Sequence, residues 1–198
     1  EEGEARREEE TETAMSLRFF NTLTKKVEDF TPLHPGEVRM YNCGPTVYNY
    51  IHLGNLKAFL FGDLLRRTLE WKGFQVTQVM NITDVGHIRA DEDEGEDKIE
   101  VQARQEKKDP YEISRYYTEA FLRDIRELGI APAHLYPKAT EHVPEMIALV
   151  GKLLEKGRAY RTEEGVYYEV GRFPGYGRLS GNTLEQLEAG KRVEVREE

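Results

Sequence analysis

The run 43–55, CGPTVYNYIHLGN, gathers a thiol, an imidazole, a hydroxyl and a carboxamide around two glycines. Cys43 can supply a thiolate to a metal ion, and His52 can donate to phosphate oxygens. Gly44 and Gly54 let backbone approach a bound group closely. A lone cysteine is by default a small buried hydrophobe. The position of Cys43, at a strand end beside Gly44 and next to residues suited to phosphate, reverses that default.

Those residues need elements to hold them. Val38-Arg39-Met40-Tyr41-Asn42 alternates and is rich in strand formers, whereas Leu56 to Trp71 repeats at helical spacing through Leu56, Phe59, Leu60, Asp63, Leu64, Arg67 and Leu69. The run 43–55 is therefore a strand-to-helix crossing, which in a parallel α/β sheet lies at the carboxyl end of a strand, where ligands bind. The helix start offers unpaired N–H groups and the positive end of a dipole. A nucleotide is the expected ligand. Gly73 breaks the helix, and Phe74 to Asn81 reads as a second strand, so 38–82 forms a β-α-β unit of the doubly wound kind. Its second strand ends at Ile82-Thr83-Asp84, which brings Thr83 toward the crevice of Cys43.

The remaining segments read more simply. Leu17–Thr24 and Lys26–Phe30 predict an N-terminal hairpin. From Lys98 to Leu128 the chain is helical in composition, divided at Asp109-Pro110. Tyr111, Ile113, Tyr116, Tyr117, Ala120, Phe121 and Ile125 form a stripe there that is expected to face a core rather than stack on RNA. A loop through Pro132 and Pro137 leads to a helix from about Glu141 to Lys156, with Pro144 in its first turn. Ala159–Arg161 and Gly165–Val170 predict a second hairpin. Residues 176–180 read as a loop and Thr183–Ala189 as a short helix. In Val85 to Asp97 the acidic run lacks the bidentate glutamate of a calcium loop, and both it and His87 read as solvated loop.

Composition bounds the class of protein. The 198 residues carry a formal charge of −9, without the basic stripe of a stand-alone nucleic-acid binder. Residues 1–14 hold seven acidic and two basic residues and read as a disordered acidic extension. No stretch approaches the ~18 apolar residues of a membrane span, and the acidic start is unlike a secretory signal. A soluble, cytoplasmic domain is expected.

Five blocks, in order, carry a family resemblance: Phe20-Asn21-Thr22-Leu23-Thr24; Cys43-Gly44-Pro45-Thr46-Val47-Tyr48 with His52-Leu53-Gly54-Asn55; Met80-Asn81-Ile82-Thr83-Asp84; Pro137-Lys138-Ala139-Thr140-Glu141-His142; and Ala189-Gly190-Lys191-Arg192-Val193-Glu194-Val195. Over roughly residues 17–196 the chain resembles the cysteinyl-tRNA synthetases, which are class I aminoacyl-tRNA synthetases. The resemblance implies an α/β fold with a Rossmann-like parallel sheet. Residues 15–130 would be the first half of the nucleotide-binding domain, and 131–198 would lead into a connecting insertion. It implies ATP with Mg2+, cysteine and tRNA(Cys) as substrates, zinc as cofactor, and a missing C-terminal half as partner if the chain is a fragment. It assigns Cys43 to zinc, Gly44 and Thr83 to cysteine, and Thr46, His52, Gly54 and Asn55 to ATP, with His52 and Asn55 also catalytic.

Two departures bear on this. Asn55 stands where the family has histidine, which keeps a hydrogen-bond donor but no titratable proton. The run also ends at Glu198 without the other family zinc ligands, a Cys, a His and a Glu, and without a Lys-Met-Ser-Lys-Ser segment or an anticodon-binding region. On this ground the chain is expected to be either a truncated portion or a shortened relative. Two alternative functions follow: a cysteine ligase acting on an amino sugar, and a non-catalytic nucleotide- or protein-binding module.

Overall fold

The computed structural model describes residues 17–86, 97–163 and 165–181. Residues 1–14, His87, the acids 91–96 and the segment Thr183–Ala189 lie outside them. β1 (Arg18–Asn21) and β2 (Lys26–Asp29) form the expected antiparallel hairpin, and β3 (Glu37–Asn42) pairs in parallel with β4 (Gln75–Met80). The crossover between β3 and β4 is helix α1 (Leu53–Trp71). Gly73, at φ 87°, adopts the left-handed turn that sends the chain from α1 into β4.

The sequence reading of Asp63 and Arg67 as part of the repeat on α1 acquires a specific meaning. Asp63 is buried, accepts from Arg67 Nε at 2.8 Å, and takes the Ala131 N–H at 2.9 Å. Arg67 also donates to the Gly129 carbonyl at 2.9 Å. Together they fasten α1 to the turn that precedes residue 132.

That turn leads to a correction. The stretch expected to be a loop through Pro132 and Pro137 runs alongside β4, with parallel bridges Val79–Leu135 and Ile82–Lys138. His134 donates to Gln78 O, Met80 to Leu135 O, Ile82 to Pro137 O, and Ala139 to Ile82 O. Pro137 hides this role from composition, because it lacks an N–H, yet its carbonyl accepts at 2.8 Å.

Two helices connect β4 to this edge segment: α2 (Lys98–Glu106) and α3 (Pro110–Glu127). Asp97 caps α2 by accepting from Ile99 N at 2.7 Å. Asp109 and Glu112 form a capping box on α3, with Pro110 in its first turn. Of the stripe on α3, Ile113, Tyr117, Ala120, Phe121 and Ile125 are buried, as a core face requires. Tyr111 and Tyr116 are exposed instead. The helical period places them on the flank, and apolar spacing alone did not separate flank from centre.

The main core joins Val47, Phe59, Met80 and Ile82 to this face of α3. A second core of Val38, Leu69 and Val76, with Leu17, Phe19, Phe30 and Phe74, seals the other end of the parallel pair. Each such side chain contributes about 1.5–3 kcal/mol when fully buried. Beyond it, a 3-10 turn (Thr140–His142) opens helix α4 (Val143–Glu155), and β5 (Ala159–Arg161) pairs antiparallel with β6 (Val166–Tyr168). No described residue from 140 to 181 is buried.

Candidate active site

The strands end side by side. Past β3 and β4, Thr46 and Thr83 form a parallel bridge in which Val47 N donates to Thr83 O at 3.1 Å and Thr83 N to Pro45 O at 3.0 Å. Val47 and Ile82, each 1% exposed, hold this bridge to the core. The chain therefore carries Cys43-Gly44 and Thr83 to the same carboxyl edge.

Asn81 clasps that edge. Its Oδ1 accepts from Gly44 N at 2.9 Å, and its Nδ2 donates to Thr83 Oγ1 at 3.1 Å. Gly44 also passes so close to the Asn81 carbonyl oxygen that a Cβ would overlap it. A glycine is needed here for close backbone approach. Asn81 was visible in the sequence only as part of a block; its contact with Gly44 spans 37 residues.

Cys43 is exposed, and its thiol makes a 3.7 Å contact with the Gly44 carbonyl. Among the described residues there is no group of three His, Cys, Asp or Glu that could hold a metal ion. The described residues do not fit a complete zinc site; Cys43 can contribute one ligand.

His52 and Asn55 are brought together at the start of α1. His52 Nδ1 accepts from Gly54 N at 3.0 Å, and Asn55 Oδ1 accepts from His52 N at 3.3 Å, completing a reciprocal cap. The lack of a side chain on Gly54 makes room for the ring, since a Cβ there would meet His52 Cε1 at 2.8 Å. With the Nδ1 lone pair taken, the neutral imidazole carries its proton on Nε2. The Asn55 amide, with Oδ1 engaged, keeps its Nδ2 hydrogens as donors. The first turn of α1 holds no acidic residue, so nothing on it opposes an anion at its positive end.

Sequence reading also missed Asp84. Buried four residues past the end of β4, it accepts from Thr140 N at 3.0 Å and from Thr140 Oγ1 at 2.6 Å. It thereby ties the edge segment to the site. A groove of about 330 Å³ lies beside the crossing, lined by Tyr48, Lys98, Val101, Gln102 and Gln105. Lys98 Nζ stands 5.4 Å from the Tyr48 ring centre.

Residues 29–198 match the family described as tRNA synthetases class I (C) catalytic domain, and the chain belongs to it. It is similar to the cysteine–tRNA ligase of Chlorobium luteolum, 51% identical over 185 residues covering 93% of this chain and 38% of that protein. The cysteine–tRNA ligase of Pyrococcus furiosus is 46% identical over 90% of the chain and 35% of its own length. That of Zymomonas mobilis is 48% identical over 83% and 32%. The chain thus spans about a third of the length of the curated relatives it matches. Among the described residues no helix is long and apolar enough to cross a membrane.

Proposed function

We propose that this chain supplies the nucleotide-facing part of a cytoplasmic cysteine–tRNA ligase, which activates cysteine with ATP and passes it to tRNA(Cys). The observation that carries the reading is the Thr46–Thr83 bridge, which sets two parallel strand ends together beside the His52-capped start of α1. Relatives about half identical to this chain bear the name cysteine–tRNA ligase, which supports the choice of amino acid. In this reading residues 15–130 are the first half of a Rossmann-like nucleotide-binding domain, the edge segment 134–139 extends its sheet, and the remainder leads into a connecting insertion.

In the first step a carboxylate oxygen of cysteine attacks the α-phosphorus of Mg2+-bound ATP, and pyrophosphate leaves with the electron pair of the broken P–O bond. In the second, a terminal ribose hydroxyl of the tRNA attacks the adenylate carbonyl and AMP departs. Neither step needs a strong side-chain base, so alignment and charge stabilisation dominate. His52 Nε2–H, the Asn55 amide, Thr46 and the backbone at Gly54 serve the phosphates. Gly44 and Thr83 face the amino acid. Cys43 is offered as one zinc ligand, the remaining ligands coming from outside the described residues.

The test is cysteine-dependent exchange of pyrophosphate into ATP, by the chain alone and by the chain mixed with a polypeptide supplying the rest of a relative's catalytic domain. Exchange that disappears in Cys43→Ser supports the reading. Silence in every mixture overturns it in favour of a binding module. Transfer to an amino sugar rather than to tRNA(Cys) would assign the alternative ligase.

A further inference from the structure

Five residues between the crossing and the α2–α3 corner form a network that the chemistry above does not use. The hydroxyls of Tyr50 and Tyr116 lie 2.6 Å apart. Their rings meet edge to face at 6.2 Å, and Tyr117 stands edge to face with both, at 5.2 Å from Tyr50 and 5.1 Å from Tyr116. The Tyr117 hydroxyl donates to Glu106 Oε1 at 2.9 Å, and Lys108 donates to Glu106 Oε2 at 2.7 Å while lying 5.4 Å from the Tyr116 ring centre. The network joins the α2–α3 corner to a residue two positions before His52.

Packing does not account for the outer pair. Tyr50 is 52% exposed and Tyr116 47%, so burial of either ring supplies only part of its full value. What fixes them to each other is the phenol–phenol hydrogen bond. The Tyr50 hydroxyl is held protonated by that bond, and burial with the Glu106 contact pushes Tyr117 up to about 12. Both therefore remain O–H groups through the neutral range.

We propose that Tyr50, gripped by Tyr116 and backed by Tyr117 and Glu106, is a positioning residue that sets how His52 caps α1 and so presents the ring to an anionic substrate. Its consequence for catalysis rests on the proposed function. Its structural half stands alone: Ile51, which packs against the main core, is the single residue between Tyr50 and the cap formed by His52, Gly54 and Asn55, so holding Tyr50 in place restricts how that cap can move.

The test uses Tyr50→Phe and Tyr116→Phe, each of which removes the same hydrogen bond and keeps the ring. Amide hydrogen exchange of this chain should quicken several-fold at Gly54, Asn55 and Leu56, whose N–H groups bond to His52. Amides in the middle of α1, Leu64 to Leu69, should not change. The double variant should match either single one. In the complemented pyrophosphate-exchange assay the KM for ATP should rise about threefold or more, with the KM for cysteine unmoved. Unchanged cap amides, or equal acceleration along all of α1, would overturn the proposal, as would an equal rise in both KM values. Quickened cap amides in a protein without any exchange activity would uphold the positioning role and discard the functional reading instead.

Discussion

The two ends of the β3–β4 pair are built on different principles. At the amino end Val38, Leu69 and Val76 meet Leu17 and three aromatic rings, Phe19 to Phe30 at 5.2 Å and Phe30 to Phe74 at 5.9 Å. At the carboxyl end the contacts are directional: Asn81 to Gly44 and Thr83, Gln78 to Asn42 at 2.8 Å, and Asp84 to Thr140. Apolar contacts stabilise without fixing position closely, because dispersion and burial have no preferred direction. Hydrogen bonds between buried partners add little net stability yet penalise misplacement. One end is sealed by apolar contacts, and the other adds to the main core, reached through Val47, Met80 and Ile82, the directional bonds that place the groups expected to meet substrate.

The largest break in this contrast comes from Gly44→Ala. The added methyl would overlap the Asn81 carbonyl oxygen, which is backbone and cannot step aside alone. The expected penalty exceeds the ~1–3 kcal/mol of an overpacked core. Thermal unfolding should show a strongly lowered midpoint or no cooperative transition, and pyrophosphate exchange should vanish. A variant with wild-type midpoint would refute the close approach.

Leu69→Ala probes the opposite end. Leu69 is 2% exposed, so its truncation should cost about 2–5 kcal/mol in denaturant titration. Because none of the residues proposed to meet substrate lies at that end, the KM values for ATP and cysteine should be those of the unmodified chain wherever the variant is folded. A changed KM would show that the two ends are coupled through α1.

Asn81→Ala removes both arms of the clasp and should cost about 1–3 kcal/mol, with exchange activity reduced more than the stability loss explains. Asn81→Asp separates geometry from charge. A carboxylate can accept from Gly44 N, and the Thr83 hydroxyl can turn to donate, so the midpoint should stay near that of the unmodified chain. The added negative charge beside the proposed phosphate site should nonetheless raise the KM for ATP. Equal stability losses in both variants would deny the clasp its role.

The contrast also explains what could be read in advance. The β-α-β unit, both hairpins and the helices of 98–127 follow from local periodicity, and local periodicity is set by apolar contacts of the kind found at the amino end. Cys43, Gly44 and Thr83 could be placed at one edge because strand-end geometry follows from the crossover. Asn81 and Asp84 could not be given their partners, since these lie 37 and 56 residues away and are chosen by tertiary approach. Residues 134–139 escaped notice because proline removes the donor that marks a strand while leaving the acceptor. Asn55, expected as an ATP-binding and catalytic amide donor, also uses its oxygen to cap His52. A short exposed pair of that kind leaves no periodic trace.

The smallest effect concerns acid, and it separates the network behind the site from the apolar end. Hydrogen bonds from Gln102, Lys108 and Tyr117 lower the Glu106 carboxyl from its ordinary 4.5 to about 2. A folded-state value below the unfolded one means that the unfolded chain binds the proton first. The contribution of Glu106 is therefore complete above pH 4.5 and is lost as pH falls from there toward 2. Glu106→Gln lacks this titration, so the gap in unfolding midpoint between the unmodified chain and the variant should narrow through that window. Leu69→Ala, whose surroundings are apolar, should keep a constant gap over the same range. A constant gap for Glu106→Gln would mean that its three donors do not hold the carboxylate in solution, and the support they lend to Tyr117 and Tyr50 would go with it.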